Sequence, residues 1–387
     1  MREFVKLLIS SSEKAANIAR IIRNDDKLFR LLVEEKQVGE KNVRFVQDFK
    51  TLGDVLIQES LRWEISKKYP EMANNIFGEE NNTFTNGLGE VVTVRVESEV
   101  KETAQLLTKV MGGGGGDTPN LAALTLAEEI HRNVGNAGDE DESCKGLEED
   151  IPEDGVISDY ADVGIWIDPI DATNEYIKGS PLAPNSSTGQ EDKVEKGGLP
   201  CVTVLIGAFH LHSGKPIVGV INQPFHTLSS DNKWSGRTFW GTSHPSCSKS
   251  SRNIPPKQSH RRPSLILSSS EDAALKAKLG KDFDLVTAPG AGYKLLAVIL
   301  GLTDAYILSK DTTHFWDSCG PHSILHGLGG GIVNFHQLLA LDQVEELPQI
   351  SYSVDNEVAK RAHFANLGGI VAFRDIETLT LLRKCLK

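Results

Sequence analysis

The chain has 387 residues, with 41 Lys and Arg against 53 Asp and Glu and a formal net charge of −12. That length exceeds a typical domain of about 100–200 residues, so two lobes with a full apolar core are expected. The acidic balance argues against nucleic acid or an anionic membrane surface as the main partner. A polyanionic small substrate is compatible with it only where metal ions and local basic residues reverse the potential inside a cleft.

In chain order, residues 3–36 carry helical periodicity, with Leu7, Ile9, Ala15, Ile18, Ile21 and Ile22 on one apolar face. The charged, short N-terminus reads as the start of that helix, not as a signal peptide. A second helix is predicted from near Thr51 to about Lys68, and a further helical turn through Met72 to Ile76. Residues 91–96 alternate as a strand should. Five consecutive glycines at 112–116 and an acid-rich stretch at 135–154 flank a predicted helix, 121–134. Glycine and like charge oppose packing, so these flanks read as a mobile surface insertion.

A buried strand follows at 163–167, then loops at 180–198 and 243–263, with strands at 200–209 and 216–221 between them. From a strand at 264–267 onward, strand and helix patterns alternate, with helices at 292–300 and 321–328. This predicts an N-terminal α+β lobe over 1–258 and a C-terminal α/β lobe over 263–387. The cysteines Cys144, Cys201, Cys247, Cys319 and Cys385 are odd in number and lack metal-ligand spacing, which points to the reducing cytoplasm. No apolar run approaches the ~20 residues that span a bilayer.

Chemistry concentrates in the stretch 166–173, Trp-Ile-Asp-Pro-Ile-Asp-Ala-Thr. Pro169 biases Asp168 toward extended geometry and can pre-set a tight turn, which would aim Asp168 and Asp171 at one point with the Ile170 carbonyl between them. Thr173 reads as a helix N-cap with Glu175 in the first turn. Such an oxygen-rich cradle suits a hard cation like Mg2+, although an isolated Asp-x-x-Asp is more often a solvated turn. Two more acidic segments point to a site. Glu79 and Glu80 follow Phe77-Gly78, and neighbouring side chains on a strand face opposite ways. Glu79 is therefore the expected ligand, with Glu80 positioning water. Asp317 stands where a helix is expected to begin, since Pro321 is tolerated only in a first turn.

The order Gly-Glu-Glu, Asp-Pro-Ile-Asp-x-Thr, Trp-Asp resembles the inositol monophosphatase and fructose 1,6-bisphosphatase superfamily of magnesium-dependent, lithium-sensitive phosphatases. The similarity runs nearly end to end through 12–20, 48–56, 219–225, 290–294 and 329–333. It is closest to the branch acting on the 1-phosphate of inositol polyphosphates. The resemblance implies alternating helix and sheet layers with a cleft between two lobes. It also implies two or three Mg2+ ions, inhibition by Li+, an inositol polyphosphate substrate such as inositol 1,4-bisphosphate or inositol 1,3,4-trisphosphate, and action as a monomer.

By the same resemblance, Glu79, Asp168 and the Ile170 carbonyl hold a first metal, and Asp168, Asp171 and Asp317 a second. Asp54 aids a third ion and bonds Thr173, the pair activating water without a covalent enzyme intermediate. The substrate phosphate would rest on the metals and on Ala172 and Thr173 N–H groups. Ser268, Ser270, Gly290, Ala291 and Lys294 complete the substrate-binding set, with Lys294 meeting the phosphate that is not cleaved. Gly320-Pro321 stand where alanines are expected, which puts the geometry at Asp317 in question. His322 and His326 read as packing residues and Cys319 as no nucleophile. A 3′(2′),5′-bisphosphate nucleotidase is the enzymatic alternative. A catalytically impaired inositol-phosphate-binding protein is the other, against which the intact Asp54, Glu79, Asp168, Asp171, Thr173 and Asp317 argue.

Overall fold

Alternation along the strands divides the core into three apolar layers. In the central strands, Ile165, Ile167, Val204, Ile206, Ala208, Val218 and Val220 face one side and pack on the helices Arg2–Asn24 and Leu52–Lys68. Leu205, Ile221 and Phe239 face the other, against Leu295, Leu296 and Ile324 of the helices Ala291–Ile299 and Phe315–Gly327. Those two helices also meet Ile266, Tyr306, Leu308, Ile332 and Ala372 of a second sheet. Its far face, with Leu265, Ile307, Val333 and Val371, is closed by Leu279, Leu338 and Leu382. Helix, sheet, helix, sheet and helix layers follow from this period of two. The computed structural model describes residues 1–24, 33–36, 49–112, 119–132, 151, 157–181, 193–244, 247–257, 262–340 and 348–387.

The first sheet has six strands in the order Cys247–Ser250, Trp234–His244, Pro216–Leu228, Thr203–His210, Val163–Asp171 and Ile76–Gly78. All pairs are antiparallel except the last. The second has five, in the order Asp284–Thr287, Ser264–Leu267, Ala305–Leu308, Ile370–Phe373 and Gly331–Asn334. Its first three strands run parallel. The helix Phe315–Gly327 lies flush on the six-stranded sheet because glycines let the backbones meet. A Cβ on Gly219 would stand 1.8 Å from the Gly320 carbonyl oxygen, and one on Gly320 would stand 2.6 Å from that of Ile206.

Several expectations change. The first helix ends at Asn24, and 33–35 is a short strand paired with Phe49–Thr51. Residues 70–72 form a single 3-10 turn, and Ile76–Gly78 is a strand parallel to Val163–Asp171. Trp234–His244 and Cys247–Ser250 are strands inside or beside the stretch read as loop, since cross-strand pairing compensates for their Gly, Ser and Lys content. The glycine run at 113–116 and the acidic residues at 135–150 and 152–154 lie outside the described residues, as does Cys144.

Pro321 is not in a first turn. It sits mid-helix in Phe315–Gly327, where its missing N–H leaves no helical donor for the Asp317 carbonyl. The sheets on both sides hold the helix through it. Among the described residues, no helix is long and apolar enough to cross a membrane.

Candidate metal centre and active site

Five buried acids come from four separate elements. Asp54 lies in the first turn of Leu52–Lys68, where Thr51 forms a capping box with it. The Thr51 N–H donates to Asp54 Oδ2 at 2.7 Å and the Thr51 hydroxyl at 2.5 Å. The other oxygen, Oδ1, is buried and has no hydrogen-bond partner among the described residues.

Asp168 and Asp171 end the strand Val163–Asp171, which continues through Pro169 instead of turning. The pairing with Thr203–His210 shifts register between the two aspartates, so the reversal is a β-bulge. A bulge is where a sheet accepts a proline, and it re-aims neighbouring side chains. Asp168, Asp171 and Asp317 thereby bring one carboxylate oxygen each within 4.8 Å of one another. Asp168 Oδ1 is also buried without a partner.

Asp171 ties the first sheet to the helix Ala291–Ile299. Its carboxylate accepts N–H groups from Ala291 at 3.1 Å and Gly292 at 2.8 Å, at the start of the helix Ala291–Ile299. Gly290 permits this approach, since it has φ 74° and a Cβ there would stand 2.6 Å from Asp171 Oδ2. Asp317 accepts the His314 N–H at 2.5 Å, at the third position of its own helix. Gly320-Pro321 therefore do not remove Asp317 from the cluster.

Glu79 and Glu80 follow the end of the strand at Gly78, so the alternation of a strand no longer separates them. Both reach one cation: Lys36 Nζ lies 2.6 Å from Glu79 Oε1 and 2.6 Å from Glu80 Oε1. Sequence reasoning missed Lys36, which sits 43 residues from Glu79 in a stretch with helical periodicity. Burial draws the Lys36 ammonium toward deprotonation, but the two glutamates outweigh it and hold its pKa above the ordinary lysine value.

Burial pushes Asp54 up to about 7 and Glu80 up to about 8. Asp168 and Asp317 rise well above the ordinary range through burial and then through the neighbouring acids. Asp171 is raised by burial, with Lys294 and the helix N–H groups pulling the other way.

Thr173 is the first residue of the helix Thr173–Lys178, not its cap. Ala172, at φ 67°, takes the cap position. The Thr173 hydroxyl donates to the Ile170 carbonyl at 3.1 Å, so the expected Asp54–Thr173 bond is replaced by Asp54–Thr51. Ser268 and Ser270 share a hydroxyl contact of 3.0 Å just beyond the strand Ser264–Leu267. Lys294 is 2 % exposed, and its ammonium donates to the Ala288 and Gly290 carbonyls beneath the turn. The same ammonium acts electrostatically on Asp171 and Asp317. His322, expected to pack, bridges Tyr352 and Gln349 at 2.9 Å each, and burial lowers its pKa to about 3.

The donor set is entirely oxygen, crowded with like charge, and includes two buried carboxylate oxygens without partners. It therefore fits a hard divalent cation. Layered fold and acidic centre together define a metal-dependent phosphatase class, and the chain belongs to the inositol monophosphatase family, whose model matches residues 116–366. Among curated relatives, the inositol polyphosphate 1-phosphatase of Mus musculus is 41% identical over 97% of this chain and 94% of that protein. That of Bos taurus is 41% identical over 100% and 98%. The 3′(2′),5′-bisphosphate nucleotidase 1 of Rattus norvegicus is 24% identical over 83% and 82%. In fold, the chain matches the extragenic suppressor protein suhB of Bartonella henselae with a TM-score of 0.50 at 14% identity, over 98% of both chains.

Proposed function

We propose that this chain is a Mg2+-dependent phosphomonoesterase that removes the 1-phosphate of inositol polyphosphates such as inositol 1,4-bisphosphate and inositol 1,3,4-trisphosphate. The observation that carries this reading is the convergence of Asp168, Asp171 and Asp317 within 4.8 Å. The near-full-length likeness to inositol polyphosphate 1-phosphatases supports the substrate class.

Glu79, Asp168 and the Ile170 carbonyl would hold one ion, Asp168, Asp171 and Asp317 a second, and Asp54 would help a third. Bound Mg2+ supplies charge neutralisation at the phosphoryl oxygens and a more acidic water. Asp54, fixed through Oδ2 by Thr51 with Oδ1 unpartnered, would serve as the base for the attacking water. Thr173 tethers the Ile170 carbonyl, and Glu80 shares Lys36 with Glu79 and sets the charge around the water. Ala172 and Thr173 offer N–H groups to the scissile phosphate. Ser268, Ser270, Gly290 and Ala291 line the substrate side, and Lys294 acts from below by holding the turn. No covalent enzyme intermediate is required.

Inhibition by Li+, a monomeric state, a cytoplasmic location and a division into lobes at 258/263 belong to the same proposal. Supporting the location, Cys201, Cys247, Cys319 and Cys385 are free thiols. The test is turnover of inositol 1,4-bisphosphate and adenosine 3′,5′-bisphosphate with and without Mg2+. Preference for the inositol substrate, abolished by chelation, is expected. Preference for the nucleotide would transfer the site to nucleotidase chemistry.

A further inference from the structure

The parallel strands Asp284–Thr287, Ser264–Leu267 and Ala305–Leu308 lie side by side, and their paired residues Thr287, Leu267 and Ile307 keep their C-terminal ends level. The loops leaving these ends are therefore neighbours, about 5 Å apart per strand. Such ends are where open α/β sheets receive ligands. The first loop reaches the acidic centre through Gly290 and Asp171. The third, 309–314, runs into the helix that carries Asp317. The middle loop presents Ser268 and Ser270.

Two ammonium groups converge on this middle loop. Lys276 donates to the Ser269 carbonyl at 2.7 Å, and Lys310 donates to the Ser270 carbonyl. The acids beside them are held by other donors. Glu271 accepts the Ser309 N–H at 3.1 Å as well as its hydroxyl. Asp272 caps Ala274 and Leu275 at 2.8 and 3.0 Å, and Asp311 accepts the Gly368 N–H at 2.7 Å. Among the described residues, neither lysine has a carboxylate partner.

We propose that Lys310 and Lys276, with the Ser268 and Ser270 hydroxyls, form the seat for the substrate phosphate that is not cleaved, and so set the preference for bisphosphates over monophosphates. This deepens the inositol polyphosphate reading and rests on it. A second phosphate carries close to two negative charges at neutral pH. In a chain of net charge −12, beside a cluster of buried acids, it needs local cations. Lys294 is buried at 2 % exposure, whereas Lys310 is exposed and Lys276 half-buried. Lys310 and Lys276 hold only neutral carbonyls, and a lysine on its flexible stem exchanges such a contact for a stronger charge-assisted bond to phosphate.

The experiment measures kcat/KM on inositol 1,4-bisphosphate and inositol 1-phosphate at low and high salt, for wild type, K276A, K310A, the double variant, K310E and K310R. The ratio of bisphosphate to monophosphate kcat/KM is expected to fall about tenfold in the double variant, mainly through KM. K310E should fall below K310A, and K310R should restore most of the ratio. The wild-type KM for the bisphosphate should rise with salt more steeply than that of the double variant. If wild type turns over both substrates but the ratio in the double variant and K310E stays within twofold, the phosphate seat is overturned and the phosphatase reading stands. If wild type hydrolyses neither inositol phosphate, that reading falls and the seat with it.

Discussion

Two regions of the molecule bury charge in opposite ways. In the helix Arg2–Asn24, Lys14 is 1 % exposed and is matched by Glu64 and the Ile130 carbonyl. Its neighbour Glu13 binds Asn222 and Thr238, with Arg20 at 3.8 Å. At the proposed active centre, Asp54, Asp168, Asp171, Asp317 and Glu80 are buried with Lys36 and Lys294 as the nearby cations. In the first region each buried charge faces an opposite one, and Glu13 Oε2, which lacks a hydrogen bond, has Arg20 at 3.8 Å. The second has an excess of negative charge and two carboxylate oxygens with no partner. Buried charge without a partner is costly, so the difference marks where a cation belongs.

The largest expected effect lies at the centre. Asp54→Ala should lower kcat by about a thousandfold, within the range for loss of a general base, while an independently measured Kd for substrate moves only a few-fold. A near-normal kcat would remove the helix Leu52–Lys68 from the reaction. Asp168→Asn should abolish turnover comparably, yet the metal-free protein should melt no lower than wild type, because burial and the neighbouring acids already oppose a charge on Asp168. Loss of both activity and metal-free stability would show that Asp168 serves the fold.

The paired region should respond in the reverse sense. Lys14→Met leaves Glu64 without its buried partner and should cost about 3 kcal/mol of stability, read as a lower denaturant midpoint, with kcat of the folded fraction intact. A stability change under about 0.5 kcal/mol would erase the contrast between the regions.

Much of this was legible in the sequence, and the reasons differ by residue. Asp168, Asp171 and Asp317 were found because strand and helix ends place their side chains locally. Thr51 and Asp54 carry a capping box that any helix start would show. Lys36 was not legible, since its two glutamates meet it only after the strand Ile76–Gly78 docks on Val163–Asp171. The inward turn of Lys294 depends on carbonyls of a loop whose path the glycines at 290 and 292 leave open in sequence. Pro321 misled the reading of helix phase, because packing between two sheets holds this helix despite the hydrogen bond the proline removes.

A smaller effect follows from the raised pKa values. A carboxylate whose folded pKa lies above its unfolded value favours the fold when protonated. Its stabilisation is complete below about pH 4 and is lost as pH rises through the folded value. With Asp54 at about 7 and Glu80 at about 8, the metal-free protein should lose melting temperature between pH 5 and 8. The gain in Tm on adding Mg2+ should grow over the same window. A gain independent of pH would mean that the ion binds elsewhere.

The central claim is that this excess of negative charge is a site for Mg2+, and calorimetric titration of Mg2+ into chelator-stripped protein tests it most directly. Run near pH 7 in buffers of different ionisation enthalpy, with turnover of inositol 1,4-bisphosphate followed in parallel, the titration reports binding and proton exchange together. The account predicts saturable binding that releases protons as the raised carboxyls ionise, with activity absent before the titration and restored along the same curve. Full turnover in the stripped protein, or binding without proton release, would contradict it.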